Sequence, residues 1–240
     1  MGPVHRPFDV VISCEHASNA VPPEVDLGLP ADILETHVAW DPGAHAVATL
    51  LARALGAPVF LGEWTRLLVD LNRSPWNPEV VPTVAFDVPV PGNQGLDTAA
   101  RAARMARYHT PYWRRVQDEI TARLARSPEA RVLHLSIHSF TGEFRGEVRP
   151  MSMGIMMDPA LPLEREAGDI LLAELTAQGV HAVENQPYDG RADALCTSCR
   201  PVFGHDHYAG LEIELSQNHL DEIEALGQRL LQAVQALRLR

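Results

Sequence analysis

The chain has 240 residues, 46% of them hydrophobic and 21% charged, a balance that excludes collagen, coiled coil and wholesale disorder and leaves enough apolar mass for a real core. With 31 acidic against 20 basic residues the formal charge is −11, and no Lys/Arg cluster is dense enough to neutralise a row of phosphates, so nucleic acid is not an expected partner. No apolar run approaches the roughly 18 residues that cross a bilayer, and the N-terminal segment MGPVHRPFDVVISCEHAS does not read as a secretory signal, so the expectation is a soluble cytoplasmic protein without membrane contact.

Phe8 to Cys14 is a β-branched apolar run that stops at a polar cluster, the pattern of a buried strand emptying into a loop that carries His16, Ser18 and Asn19. Asp41 to Leu55 reads as a helix, with Asp41 as cap, Pro42 in the first helical position and Gly56 as stop. Ala57 to Leu61 and Leu67 to Leu71 are the next strand candidates. Ser74 to Gly95 contains five prolines yet is too apolar for a tether, so it reads as a structured loop over a site. Ala99 to Arg126 is a long amphipathic helix with Pro111 inside it, a residue that kinks helices.

Val132 to Ile137 and Met153 to Met157 read as strands, Leu163 to Ala177 as a helix, Val180 to Val183 and Leu211 to Leu215 as extended, and His219 to Leu237 as a closing helix. Short apolar strands alternating with longer helices predict an α/β fold, a sheet covered on both faces. No internal repeat and no Gly/Ser linker divides residues 1–240, so they are read as one domain.

Eleven histidines direct attention to metal and acid/base chemistry, whereas three cysteines, an odd number, indicate no disulfide framework. Ligand sites in α/β sheets lie at the carboxyl ends of strands. His16, Asn72 with Arg73, His138 with Ser139, and Glu214 each finish an expected strand. Any one of them is equally explained as a surface or hydrogen-bonded residue, but four strand ends of this kind point to one site. Two histidines and a carboxylate with an open fourth position form the donor set of a catalytic zinc. A glutamate beside such a set can take a proton from water, and an arginine offers a fork for a carboxylate.

Other features have plainer readings. Cys196 and Cys199, followed by His205 and His207, resemble half of a structural zinc site, but without a second well-spaced pair they are left outside the site. Cys14 ends an apolar strand and is read as an inert core thiol. His109 and Tyr112 are explained by helix packing, and strand alternation directs Glu15 to the face opposite His16. His45 shares a helix face with Asp41 and either approaches the metal or bonds to Asp41.

The ordered segments CEHASNAVP, HVAWDPGA, TRLLVDLNRS, YHTPYW, SIHSFTG, NQPYDG and LEIELSQNHL resemble the N-formylglutamate amidohydrolase family over about residues 8–222. That family is similar to zinc carboxypeptidases and aspartoacylase, which implies a three-layer α/β/α sandwich around a mixed, mostly parallel sheet. Carried over by position, the resemblance makes His16 and His138 metal ligands and Glu214 the general base. Asn72 and Arg73 would hold the substrate carboxylate, Arg66 would polarise the scissile carbonyl or assist Arg73, and Arg149 and Tyr188 would line the pocket rim. The carboxypeptidase pattern His-x-x-Glu is broken here, since Asn19 stands three residues after His16. Asp41, where the amidohydrolase family also carries Asp, is the preferred third ligand, although its Asp-Pro-Gly setting explains it equally as a helix cap.

The resemblance implies zinc-dependent, or other divalent-metal-dependent, hydrolysis of a small N-acyl amino acid such as N-formylglutamate. Two alternatives remain: an amidohydrolase for another acyl-amino acid or short peptide, and a non-catalytic relative that binds a carboxylate ligand or a partner protein, for which the Asn19 departure is the argument.

Overall fold

The computed structural model describes residues 8–239; residues 1–7, part of the N-terminal segment discussed above, and residue 240 lie outside it. Strands form where β-branched and apolar runs occur. Those of the main sheet are Asp9–Cys14 (β1), Val59–Leu61 (β2), Val132–Phe140 (β3), Met153–Met156 (β4), Ala182–Glu184 (β5) and Tyr208–Ser216 (β6). Their order across the sheet is β2-β1-β3-β6-β4-β5. β1 runs parallel to β2 and β3, and β3 parallel to β6, while β4 is antiparallel to β6 and parallel to β5. The fold is therefore α/β with the mostly parallel mixed sheet that was expected.

The helices of seven residues or more are Ala44–Leu55 (α1), Thr98–Arg104 (α2), Thr110–Leu124 (α3), Pro162–Ala177 (α4), Leu195–Phe203 (α5) and Ile223–Leu239 (α6). Apolar residues of α1, α4 and α6 join Val10, Ile12, Leu133, Leu135, Leu211 and Ile213 in one core. Tyr112, Trp113, Val116 and Ile120 of α3 and Leu195 and Cys199 of α5 form a second core on the other face. Because side chains alternate along a strand, the first core takes every second residue of β1, β3 and β6. The intervening residues include Ser13, His134, Ser136, His138, Glu212 and Glu214, all on the α3/α5 face and all but Glu212 in the buried class. The sheet thus has one dry face and one face whose carboxyl-terminal end is polar.

Several local expectations change. Leu67 to Leu71 is buried but is a turn-rich segment, not a strand. It lies off the sheet, and its backbone is satisfied individually: Asp70 N donates to Val80 O (2.8 Å), and Leu71 O accepts from Trp113 Nε1 (2.7 Å). The helix expected from Asp41 begins at Ala44, because Gly43 adopts a left-handed φ of 85° that ends the Asp-Pro-Gly turn. The irregularity around Pro111 falls just before it: Met105–His109 is a π-helical turn joining α2 to α3. Pro111 offers no N–H to the preceding turn, and the chain widens there. Ser74 to Gly95 is indeed structured, with a two-stranded hairpin (Val84–Ala85 and Val88–Pro89) between two short 3-10 turns.

Candidate active site

The carboxyl ends of β1, β3 and β6 open into a cavity of about 360 Å3, at the small end of ligand-pocket sizes and suited to an amino-acid-sized molecule. His16 and His138 meet there with ring centroids 4.9 Å apart and planes at 64°. Asp41 lies between them: its Oδ2 is 2.9 Å from His138 Nδ1 and 3.4 Å from His16 Nδ1. All three residues are buried, and one donor atom from each falls within 4.8 Å of the others. Residues separated by 122 positions in the chain are thereby brought together by the parallel pairing of β1 with β3.

Asp41 is not a helix cap. Its backbone N–H donates to His16 O (3.0 Å), and the following Pro42-Gly43 turn aims its carboxylate into the cavity. A Cβ on Gly43 would approach Ile223 Cγ1 to 2.9 Å, so glycine is required for the turn to pack against the residue that opens α6. Burial favours the neutral acid, but Arg66, His16 and His138 outweigh it and hold the Asp41 carboxyl well below its usual range.

Each histidine also has a carboxylate behind it. His16 Nε2 is 2.7 Å from Asp70 Oδ1, and His138 Nε2 is 3.1 Å from Glu15 Oε2. Both rings therefore turn Nδ1 toward Asp41 and Nε2 outward. Burial pushes the Glu15 carboxyl up, but hydrogen bonds from His138 and Ser136 prevail and bring it down to about 2. Sequence reasoning directed Glu15 to the opposite face. The strand ends at Cys14, however, and the turn that follows breaks the alternation, so Glu15 reaches His138. Tyr112 does more than pack, since its hydroxyl donates to Glu15 Oε1 (3.0 Å).

Glu214 projects from β6 beside His138, its register partner across the β3–β6 pair. Its Oε2 is buried and lacks a hydrogen-bond partner among the described residues. Burial, together with the negative charges of Asp41 and Glu212, pushes its carboxyl up to about 8 against the opposing pull of His138 and Arg66. A carboxyl poised near neutrality can take and return a proton.

Arg66 lies deep in the same cavity, with Nη2 donating to Asp41 Oδ1 (2.8 Å) and contacting His16 Nδ1. Arg73 is at the wall, more than a third exposed, with Nη1 on Asp193 O (2.9 Å). Asn72 accepts from Leu195 N (3.0 Å) and donates to Glu212 Oε1 (3.4 Å). His109, read above as a packing residue, holds this loop by bonding Arg73 O through Nε2 (2.7 Å). Tyr188 lines the cavity and is partly exposed. Arg149 stands behind it, packed on the rings of Tyr188, Phe144 and Phe140, with its guanidinium 3.5 Å from the Tyr188 hydroxyl.

The structure does not bring every candidate to the cavity. Asn19 is half-buried and is not part of the cavity wall, and His45 faces outward on α1. Cys196 and Cys199 are buried thiols on α5, a helix that sequence reading missed; His205 and His207 are not buried with them. Among the described residues, the His/Cys/Asp/Glu group with gathered donor atoms is that of His16, Asp41 and His138. Asp70, Glu15 and Glu212 were not anticipated as site residues; the only sequence signal for Asp70 was its place in the VDLNR segment.

The donor set fits a divalent metal ion. Two imidazole nitrogens and a carboxylate converge, each imidazole is backed by a second carboxylate, and a cationic guanidinium already lies against the donor atoms. Carboxylates outnumber guanidiniums in the cavity wall, which leaves negative charge for a cation to offset.

The same chain matches known proteins along nearly its whole length. The family described as N-formylglutamate amidohydrolase matches residues 8–220. No curated protein shows significant sequence similarity. Among solved structures, the gene product Atu2144 from Agrobacterium tumefaciens superimposes with a TM-score of 0.84 at 32% identity, over 96% of this chain and 90% of that one. An N-formylglutamate amidohydrolase from Ralstonia eutropha JMP134 superimposes with a TM-score of 0.70 at 17% identity, over 99% of this chain and 95% of that one, a likeness of fold. With its strand-end histidines and carboxylates carried on the matched segment, the chain belongs to the N-formylglutamate amidohydrolase family.

Proposed function

We propose that this protein hydrolyses the amide bond of a small N-formyl amino acid bearing free carboxylate, N-formylglutamate being the first substrate to test. His16, Asp41 and His138 would hold a zinc-type divalent cation, which supplies positive charge that polarises a carbonyl and makes a water molecule easier to deprotonate. The single observation that supports this reading is the meeting of that donor set with Glu214, whose unpartnered oxygen is buried in the same small cavity.

In this scheme Glu214 takes a proton from the attacking water on Oε2. Water oxygen bonds to the formyl carbon, the carbon–nitrogen bond breaks, and Glu214 returns the proton to the leaving amine, giving formic acid and the free amine; the acid's remaining proton then passes to the amine, leaving formate and the ammonium form of the amino acid. Arg66 faces the oxygen on which negative charge develops. Arg73 and Asn72 hold the carboxylate of the amino acid, a task for which the guanidinium fork is better shaped than a lysine ammonium. Arg149, stacked behind Tyr188 and outside the cavity wall, would hold that tyrosine at the rim of the pocket. The cytoplasmic setting and the single-domain reading belong to the same proposal.

The test is a panel of N-formyl and N-acetyl amino acids assayed with and without a chelator. N-formylglutamate turnover that a chelator abolishes and zinc restores is the expected result; turnover indifferent to the chelator removes the metal from the scheme. Glu214→Gln should retain the metal while hydrolysis falls by about 100- to 10,000-fold. Unchanged hydrolysis would refute the role of Glu214.

A further inference from the structure

Glu15 has no direct part in the scheme above, yet it is among the most completely enclosed charged groups in the protein, with a side-chain exposure of 0%. Both of its oxygens are occupied. Oε1 accepts from the Tyr112 hydroxyl of α3 (3.0 Å), and Oε2 accepts from Ser136 Oγ and lies 3.1 Å from His138 Nε2, with Ser136 Oγ itself 2.8 Å from that nitrogen. Ser136 and His138 are two residues apart on β3 and therefore share a face, the one that α3 covers. Gly62 lets the neighbouring chain close over this corner, since a Cβ there would meet Glu15 O at 2.0 Å.

We propose that Glu15, held by Tyr112 and Ser136, is a positioning residue that keeps a hydrogen on His138 Nε2 when a metal takes Nδ1, and so aims Nδ1 at the metal position. The inference rests on the metal reading of the site and deepens it. Nε2 faces Ser136 Oγ at 2.8 Å and Glu15 Oε2 at 3.1 Å, and because the single hydroxyl hydrogen of Ser136 goes to Glu15, both oxygens are left to accept, so Nε2 carries hydrogen. Neutral imidazole carries only one such hydrogen, which leaves the opposite nitrogen as the electron-pair donor. That nitrogen, Nδ1, faces the Asp41 carboxylate at 2.9 Å, and a cation seated between the two would take the place of a proton there while the Nε2 hydrogen stays on Ser136 and Glu15. An amide at position 15 can offer either N–H or C=O to Nε2 and removes the distinction between the two tautomers. The ring would then spend part of its time with a proton where the metal belongs.

Tyr112 adds direction. Its hydroxyl fixes the far oxygen of Glu15, so the near oxygen stays on His138 and does not swing toward α3. Carboxylates in this position typically change metal affinity by about 10- to 100-fold.

The experiment compares the full chain with its Glu15→Gln and Tyr112→Phe variants. Zinc dissociation constants are measured by competition with a chelator, and nitrogen NMR of histidine-labelled, zinc-loaded protein reads the tautomer of His138. Glu15→Gln is expected to weaken zinc binding by about 10- to 100-fold and to admit the Nδ1–H form. Tyr112→Phe is expected to weaken binding about threefold while the Nε2–H form persists. Zinc affinity within twofold of wild type in folded Glu15→Gln, with His138 unchanged, overturns the role of Glu15 and leaves the metal reading intact. Failure of the wild-type chain to bind zinc overturns both. If Glu15→Gln does not fold, Tyr112→Phe decides: weakened binding supports the proposal and unaltered binding overturns it.

Discussion

Glu214 carries an opposition between stability and reaction that can be measured without any substrate. Its carboxyl ionises at an ordinary value of 4.5 in an unfolded chain and at about 8 in the folded one, because burial and the nearby Asp41 and Glu212 charges disfavour the anion. Between these two values the folded chain holds a proton that the unfolded chain has released, so stability falls as pH rises from 4.5 through 8. Linkage puts the loss at under about 1 kcal/mol at pH 5 and between about 4 and 5 kcal/mol at pH 8.5. Glutamine has a similar shape and no charge, so Glu214→Gln escapes this loss. Even half of the difference, about 2 kcal/mol, raises the melting temperature of a chain of this length by about 4–8 °C. The assay is thermal unfolding of metal-free wild type and variant at pH 5 and pH 8.5. Near-equal Tm at pH 5 and a clearly higher Tm for the variant at pH 8.5 are expected. A variant less stable than wild type at pH 8.5 would show that the Glu214 anion is compensated inside the cavity, and the argument for a poised carboxyl would fail.

Asp41→Asn should reduce zinc uptake sharply. In the metal-free protein it leaves Arg66 facing a neutral amide, which costs about 3 kcal/mol in urea unfolding; unaltered zinc stoichiometry would remove Asp41 from the donor set. Arg73→Ala should raise KM for N-formylglutamate by about 10- to 100-fold with kcat within a few-fold, and should leave uncharged amide analogues unaffected. A fall in kcat at constant KM would contradict the binding role. His134 is enclosed between Ser13 Oγ and the Tyr208 hydroxyl, both at 2.8 Å, and burial lowers its pKa to about 4. As pH falls below 6.5 the unfolded chain takes up this proton before the folded one does, so about 3 kcal/mol of stability is lost by pH 4. His134→Gln, which keeps a donor and an acceptor, should flatten that decline in urea unfolding measured from pH 7 to pH 4.5; an equally steep decline would assign it to other groups.

How the chain reaches this site is partly local and partly not. The strand runs ending at Cys14, Phe140 and Ser216 are strings of β-branched and aliphatic residues, and their polar ends were readable because such ends mark ligand sites in parallel sheets. His16, His138 and Glu214 were legible for that reason. Leu67 to Leu71 has an equally strand-like composition but becomes a buried turn, because propensity does not say whether a neighbouring strand is free to pair. Helix α5 was missed because Pro201 lies within it and its Cys-x-x-Cys directs attention to metal chemistry, whereas among the described residues its buried thiols are not part of a gathered donor group.

Sequence alone determined the α/β class, the polar strand ends and the family, since these depend on short-range pattern and on ordered motifs. Tertiary structure decided which carboxylates serve the histidines. Asp41, Asp70 and Glu15 lie 25, 54 and 123 residues from the imidazoles they contact, and their side-chain directions come from a left-handed Gly43, a turn without sheet pairing and the break of alternation after β1. Periodicity carries direction only within a regular element. Where the backbone leaves the strand or helix, only the packed neighbours determine where a carboxylate points.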